Sequence, residues 1–153
     1  MARHLNFEVV PLTDVLLKLP TAETPNLPVV LVVDDEPLIA NTLVAILNKQ
    51  NYAATAAYNA EEALASAKII PPDYLITDIL MPRRTGIDLA IAIKDSVPGC
   101  KVLLFSGHVN VMQLEDDPRY AAYDFPMLSK PIHPDVLLAN LASLGNSVAT
   151  SAA

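Results

Sequence analysis

Apolar and polar positions fall into alternating blocks whose internal period switches between strand and helix. Val29-Val30-Leu31-Val32-Val33 is an unbroken, β-branched apolar run, as expected for a strand buried on both faces. Residues 37–48 carry Ile39, Leu43, Ile46 and Leu47 at helical spacing, with Pro37 suited to the first turn and Asp35 placed to cap it. A weaker, Ala-rich strand is predicted over 52–58. Asn59, with Glu62 three positions on, has the spacing of a capping box and opens a second helix to Lys68. Residues 74–79 read as a third strand, 87–96 as a third helix and 101–106 as a fourth strand. A short helix is predicted over 111–117, stopped by Pro118. Residues 125–129 read as a fifth strand, which Pro126 assigns to a sheet edge. Residues 134–144 form a last helix with Leu137, Leu141 and Leu144 on one face.

Strands alternating with helices over short connections predict an α/β fold, a doubly wound five-stranded parallel sheet with helices on both faces. The fourth helix is expected to be short or irregular. Residues 1–27 differ: Leu5, Phe7, Val9 and Leu12 are spaced like a weak strand, 15–19 suits a turn or two of helix, and Pro20, Pro25 and Pro28 break regular structure from position 20 to the first strand. The expected division is an arm and linker at 1–27, one domain at 28–144 and a flexible tail of small polar residues at 145–153.

Composition narrows the functional classes. The chain has 153 residues, 52% hydrophobic, enough for one buried core but not for two full domains. Its net charge of −7 is opposite to the footprint of a nucleic-acid binder. The single cysteine, Cys100, excludes an internal disulfide framework and a multi-cysteine zinc site. Glu8 and Asp14 interrupt any signal-peptide core, and no apolar run reaches the roughly 20 residues of a membrane span. A cytoplasmic protein with no membrane segment is expected.

In a sheet of this kind ligands bind beyond the carboxyl ends of the strands. There the chain carries Asp34-Asp35, then Asp78, then Ser106-Gly107, then Lys130-Pro131. Clustered carboxylates repel, and a hard divalent cation such as Mg²⁺ relieves the repulsion. Such a site attracts a phosphoryl group, which an Asp carboxylate can accept as an acyl phosphate. Lys130 would pair with the phosphoryl oxygens, and Ser106 would donate a hydrogen bond to them.

Val32-Val33-Asp34-Asp35-Glu36, Thr77-Asp78-Ile79-Leu80-Met81-Pro82 with Gly86, Ser106-Gly107 and Lys130-Pro131-Ile132 occur in this order and spacing. Together they resemble the receiver (CheY-like, flavodoxin-like) domain of two-component response regulators, over about residues 28–144. The resemblance implies that Asp78 is the phosphoacceptor. It implies that Asp34, Asp35, Asp78 and the backbone carbonyl of Leu80 hold Mg²⁺, that Ser106 and Lys130 sense the phosphoryl group, and that the Lys130-Pro131 peptide is cis. A sensor histidine kinase or a histidine phosphotransfer protein is the implied phosphodonor, with an unidentified downstream protein as target.

Several residues depart from the family pattern. Met127 stands where an aromatic side chain often rotates with the phosphoryl sensor. Tyr123-Asp124 replaces the usual Gly-Ala. Leu80 and His108 flank the expected phosphoryl position, and an apolar Leu80 predicts slow self-hydrolysis. Taken singly, Asp35 reads as a helix cap, Asp78 and Ser106-Gly107 as turn residues, and Lys130 as a solvated lysine. Jointly they demand five coincidences on one edge. His4, His133, Cys100, Arg83-Arg84 and Glu115-Asp116-Asp117 read as arm, packing or solvated residues, and Tyr120 and Tyr123 as partner-facing or as a cover for the fourth helix.

The expected function is therefore a single-domain receiver, not a turnover enzyme, that signals through protein contacts without binding nucleic acid. The arm is expected to dock a partner or pair two chains as a homodimer. Two alternatives compete. A phosphatase with an aspartyl nucleophile would want an acid at position 80, where Leu80 stands. A pseudo-receiver scaffold would keep the fold without phosphorylation-driven switching.

Overall fold

The computed structural model describes residues 26–107 and 116–151. Five parallel strands form one sheet: β1 (Val29–Val33), β2 (Ala53–Ala57), β3 (Tyr74–Asp78), β4 (Lys101–Ser106) and β5 (Met127–Ser129). Their spatial order is β2-β1-β3-β4-β5, so the chain reverses direction across the sheet between β1 and β3. Five helices occur among the described residues: α1 (Pro37–Lys49), α2 (Ala60–Ile69), α3 (Gly86–Ser96), α4 (Pro118–Tyr123) and α5 (Pro134–Ser151).

Strand alternation divides the core in two. Leu31 and Val33 of β1 point into a layer closed by α2 and α3, with Leu75, Leu104 and Phe125. Val30 and Val32 point the opposite way, to Leu43 and Leu47 of α1 and Leu137 and Leu141 of α5. Burial on both faces explains why β1, β3 and β4 are apolar runs rather than alternating ones.

The capping chemistry departs from expectation at four places. Asn59 does accept from the Glu62 amide at 2.8 Å, but the Glu62 carboxylate returns to the Tyr58 amide at 3.0 Å, one residue beyond the usual partner. At α1 the capping residue is Glu36, with no side-chain cap. It is Asp34, not Asp35, that accepts from the Glu36 amide, at 2.9 Å. At α3, Thr85 and Asp88 form a reciprocal capping box that fixes the start of that helix at Gly86. Pro118 opens α4, because a proline at the first helical position gives up only an amide that has no intrahelical partner. Asp117 caps it, accepting from the Arg119 amide at 2.9 Å. Of the 111–117 helix, residues 111–115 lie outside the described residues, as does His108.

The last helix also corrects the expected boundary at Leu144: α5 continues through Gly145 to Ser151. An interior glycine costs a helix about 1 kcal/mol but does not stop it. Here a Cβ on Gly145 would lie 2.6 Å from the Tyr74 hydroxyl, so glycine lets α5 approach the start of β3. β5 is shorter than predicted, three residues at the sheet edge, and Pro126 still contributes its carbonyl to the Leu104 amide at 2.9 Å. No described helix is long and apolar enough to cross a membrane. The 1–27 arm lies outside the described residues up to position 25.

Candidate functional site

The carboxyl ends of β1, β3, β4 and the three-residue β5 meet on one edge of the sheet, and every candidate residue sits there. Asp34 follows β1, Asp78 ends β3, Ser106 ends β4 and Lys130 follows β5. Asp34, Asp78 and Ser106 are buried, whereas Asp35 is exposed. Four separate segments of the chain are thus brought together by the parallel register alone.

Lys130 is the hub. Its Nζ donates to Asp34 Oδ2 at 2.9 Å and to Asp78 Oδ2 at 3.2 Å, and lies 4.9 Å from the centroid of the buried Phe105 ring. The other oxygens are engaged as well: Asp34 Oδ1 by the Glu36 amide and Asp78 Oδ1 by the Leu80 amide at 3.3 Å. The Lys130-Pro131 peptide is cis, as the resemblance implied. Burial pushes the Asp78 carboxyl above the usual carboxylate range and the Asp34 charge adds to this, against the opposing pull of Lys130. Burial alone would lower the Lys130 ammonium, but the two carboxylates outweigh it and hold it above an ordinary lysine.

Gly86 fixes the floor of the site. Its amide donates to the Ile79 carbonyl at 2.8 Å, and a Cβ there would lie 1.9 Å from the Asp78 carbonyl oxygen. Only a residue without a side chain lets the start of α3 pack against the end of β3, and so holds Asp78 in place. Ser106 Oγ donates to the Gly107 carbonyl at 3.3 Å, so its hydroxyl is close at hand for a group bound over Asp78. Leu80 is 58% exposed and borders the site with an apolar side chain.

One carboxylate oxygen from each of Asp34, Asp35 and Asp78 lies within 4.8 Å of the other two. An all-oxygen, anionic donor set this compact suits a hard divalent cation and not a thiophilic metal. The residues present therefore fit the metal that the resemblance implied.

Three features are not foreseen from the sequence. The Lys130 bridge joins residues far apart in the chain and is visible only once the fold is known. The Thr85–Asp88 box has the right spacing, so that spacing alone could have found it. Arg119 binds Asp88 of α3 and, at 3.0 Å, Asp117, anchoring the short α4 to α3. Of the two nearby tyrosines, Tyr120 packs against the core, and Tyr123 stacks on Phe125 at 5.3 Å while remaining exposed. Met127 is half-buried against the same core. Cys100 is buried, and burial pushes its thiol up to about 11, which fits packing and not nucleophilic chemistry. His133 is exposed, its Nδ1 accepting from the Asp135 amide at 3.2 Å.

A parallel five-stranded sheet with an acidic pocket and a lysine at its carboxyl edge defines a doubly wound α/β protein with its ligand site at the strand ends. The family described as "Response regulator receiver domain" matches residues 30–142. The chain belongs to that family, the receiver domains of two-component response regulators. It is 34% identical over 111 residues to the nitrogen assimilation regulatory protein NtrX of Azorhizobium caulinodans, covering 71% of this chain and 24% of that protein. It is 28% identical to the transcriptional regulatory protein TrcR of Mycobacterium tuberculosis, covering 75% and 44% of the respective chains. The chain thus spans less than half the length of these relatives. Among solved structures, the chemotaxis protein CheY4 of Vibrio cholerae superposes with a TM-score of 0.69 at 26% identity, covering 77% of this chain and 98% of that one. A two-component transcriptional regulator AraC of Clostridium phytofermentans superposes at 0.70 and 29% identity, covering 82% and 98%.

Proposed function

We propose that this receiver accepts a phosphoryl group on Asp78, in a Mg²⁺-dependent reaction, from a phosphohistidine of a sensor kinase or a phosphotransfer protein. The observation that carries this reading is Lys130 held between Asp34 and Asp78, with the exposed Asp35 beside them. In the transfer an Asp78 carboxylate oxygen attacks phosphorus. The P–O bond forms as the P–N bond breaks, and the electron pair returns to the imidazole nitrogen, which takes up a proton from water. Lys130 exchanges its contact with Asp78 for the incoming phosphoryl oxygens, and the Ser106 hydroxyl donates to the same group. Mg²⁺ held by Asp34, Asp35, Asp78 and the Leu80 carbonyl would supply neutralisation of the phosphoryl charge.

The same reading makes the chain a cytoplasmic signalling receiver that works by protein contacts and turns over no small substrate. Leu80 supports the last point, since it offers no acid or base at the position where an aspartyl phosphatase needs one. The test is intact mass after incubation with a small acyl phosphate, with and without Mg²⁺. One added phosphate in wild type, dependent on Mg²⁺ and absent from folded Asp78→Asn, is expected. No gain in folded wild type would contradict the reading.

A second reading, an interaction scaffold without switching, is favoured by two observations. Met127 replaces an aromatic side chain at the usual relay position, and α4 buries none of its residues. It predicts identical amide spectra outside the site before and after phosphorylation.

A further inference from the structure

An apolar groove of about 540 Å³ lies along the sheet edge at the opposite end of the strands from Asp78. Val29 and Leu31 of β1 contribute to its floor, and Ile69 and Ile70 at the end of α2 form one wall. These two isoleucines are 81% and 57% exposed, large apolar surfaces side by side with no cover among the described residues. β2 is the edge strand here, and at Ala54 its outward groups are already taken. Asn48 Oδ1 accepts from the Ala54 amide at 2.8 Å, and Asn48 Nδ2 donates to the Ala54 carbonyl at 3.4 Å. An occupant beside Ala54 therefore docks by its side chains and not by strand pairing.

The arm joins the domain beside this groove, where Asn26, Leu27 and Pro28 line a neighbouring hollow with Asp73, Tyr74 and Lys101. Asn26 to Pro28 run directly into Val29, a groove residue, and Leu27 is 42% exposed. Seven residues, Pro20 to Asn26, separate this point from Val15, Leu16, Leu17 and Leu19, four apolar residues in a span of five. Extended, that connector spans up to roughly 23 Å, ample for the segment to fold back, and its two prolines limit the conformations it samples. A tethered apolar segment meets a neighbouring apolar groove at an effective concentration on the order of millimolar, which a free partner seldom reaches. We propose that Val15–Leu19 of the arm seats in the groove of Val29, Leu31, Ile69 and Ile70 as an intramolecular cover. The arm then belongs to the receiver at the end remote from phosphoryl transfer, and it leaves the docking faces around Asp78 open. This proposal does not depend on the phosphorylation chemistry.

The test is a nitroxide at Lys68→Cys, an exposed α2 position beside Ile69, in the full chain. Buried Cys100, with its raised thiol, stays unlabelled. Expected is a strong loss of amide signal intensity at Leu16 and Leu17 that persists on dilution. The loss should disappear when Ile69→Ser and Ile70→Ser are added to the labelled chain. No loss in the labelled chain, or loss undiminished by the serine variants, would overturn the proposal. Loss that fades on dilution would replace it with docking between two copies.

Discussion

At the scale of the residue, the site is governed by what each side chain faces. Leu80 lies two residues past Asp78, its amide on Asp78 Oδ1 and its apolar side chain 58% exposed; on the proposed reading it crowds an attacking water without orienting it. Leu80→Asn supplies a polar group there and is expected to shorten the phosphoryl lifetime severalfold, as followed by decay of the phosphorylated mass. An unchanged lifetime would remove Leu80 from that role. Gly86 faces backbone. Gly86→Ala forces a Cβ to within 1.9 Å of the Asp78 carbonyl oxygen, so α3 or the end of β3 must move. A loss of about 1–3 kcal/mol in urea unfolding is expected, as for an overpacked core, together with slower phosphoryl uptake. Unchanged stability would mean that the contact relaxes freely.

At the scale of the element, the tie between α3 and α4 is the most exposed to conditions. α4 fully buries none of its residues; it is held by the half-buried Tyr120 against the core and by Arg119 on Asp88 and Asp117. Burial alone would raise the Asp88 carboxyl, but Arg119 and Thr85 outweigh it and hold Asp88 below the usual carboxylate range. A depressed folded value means that the tie stabilises fully above the ordinary carboxylate range and is lost as pH falls through the folded value. The groups are largely solvated, so the effect is expected to be small and to shrink with salt. In Arg119→Gln, stability from urea titrations at graded acid pH should fall less steeply than in wild type. Parallel curves would assign the acid loss elsewhere.

The elements also show what is readable in the chain and what is not. β1, β3 and β4 are plain because strands covered on both faces must be apolar throughout. The candidate site is readable at Asp34, Asp35, Asp78, Ser106 and Lys130 because a parallel sheet gathers its strand ends on one edge. The helix that Pro118 opens is not foreseen, because a proline can end one helix or open the next and the local residues do not say which. Gly145 misleads because its reason is the Tyr74 hydroxyl, on a strand distant in sequence. The Lys130 bridge to two carboxylates is invisible for the same cause: its partners are neighbours only in the fold.

At the scale of the whole molecule, three carboxylates and one lysine at the sheet edge make stability responsive to a cation. Mg²⁺ that binds the folded chain and not the unfolded one raises stability by mass action, about 2.7 kcal/mol at a hundredfold excess over the dissociation constant. The urea midpoint of wild type should rise with Mg²⁺, while Asp35→Asn, an exposed substitution that spares the Lys130 bridge, should largely abolish the rise. An equal rise in both would move the cation site away from Asp35. The central claim concerns Asp78 itself. Its most direct test is borohydride reduction of the protein after acyl-phosphate treatment, which converts a phosphorylated aspartate to homoserine, followed by peptide mapping. Homoserine at position 78, formed only with Mg²⁺ present, is the predicted result. Homoserine at another carboxylate, or at none, would contradict the account.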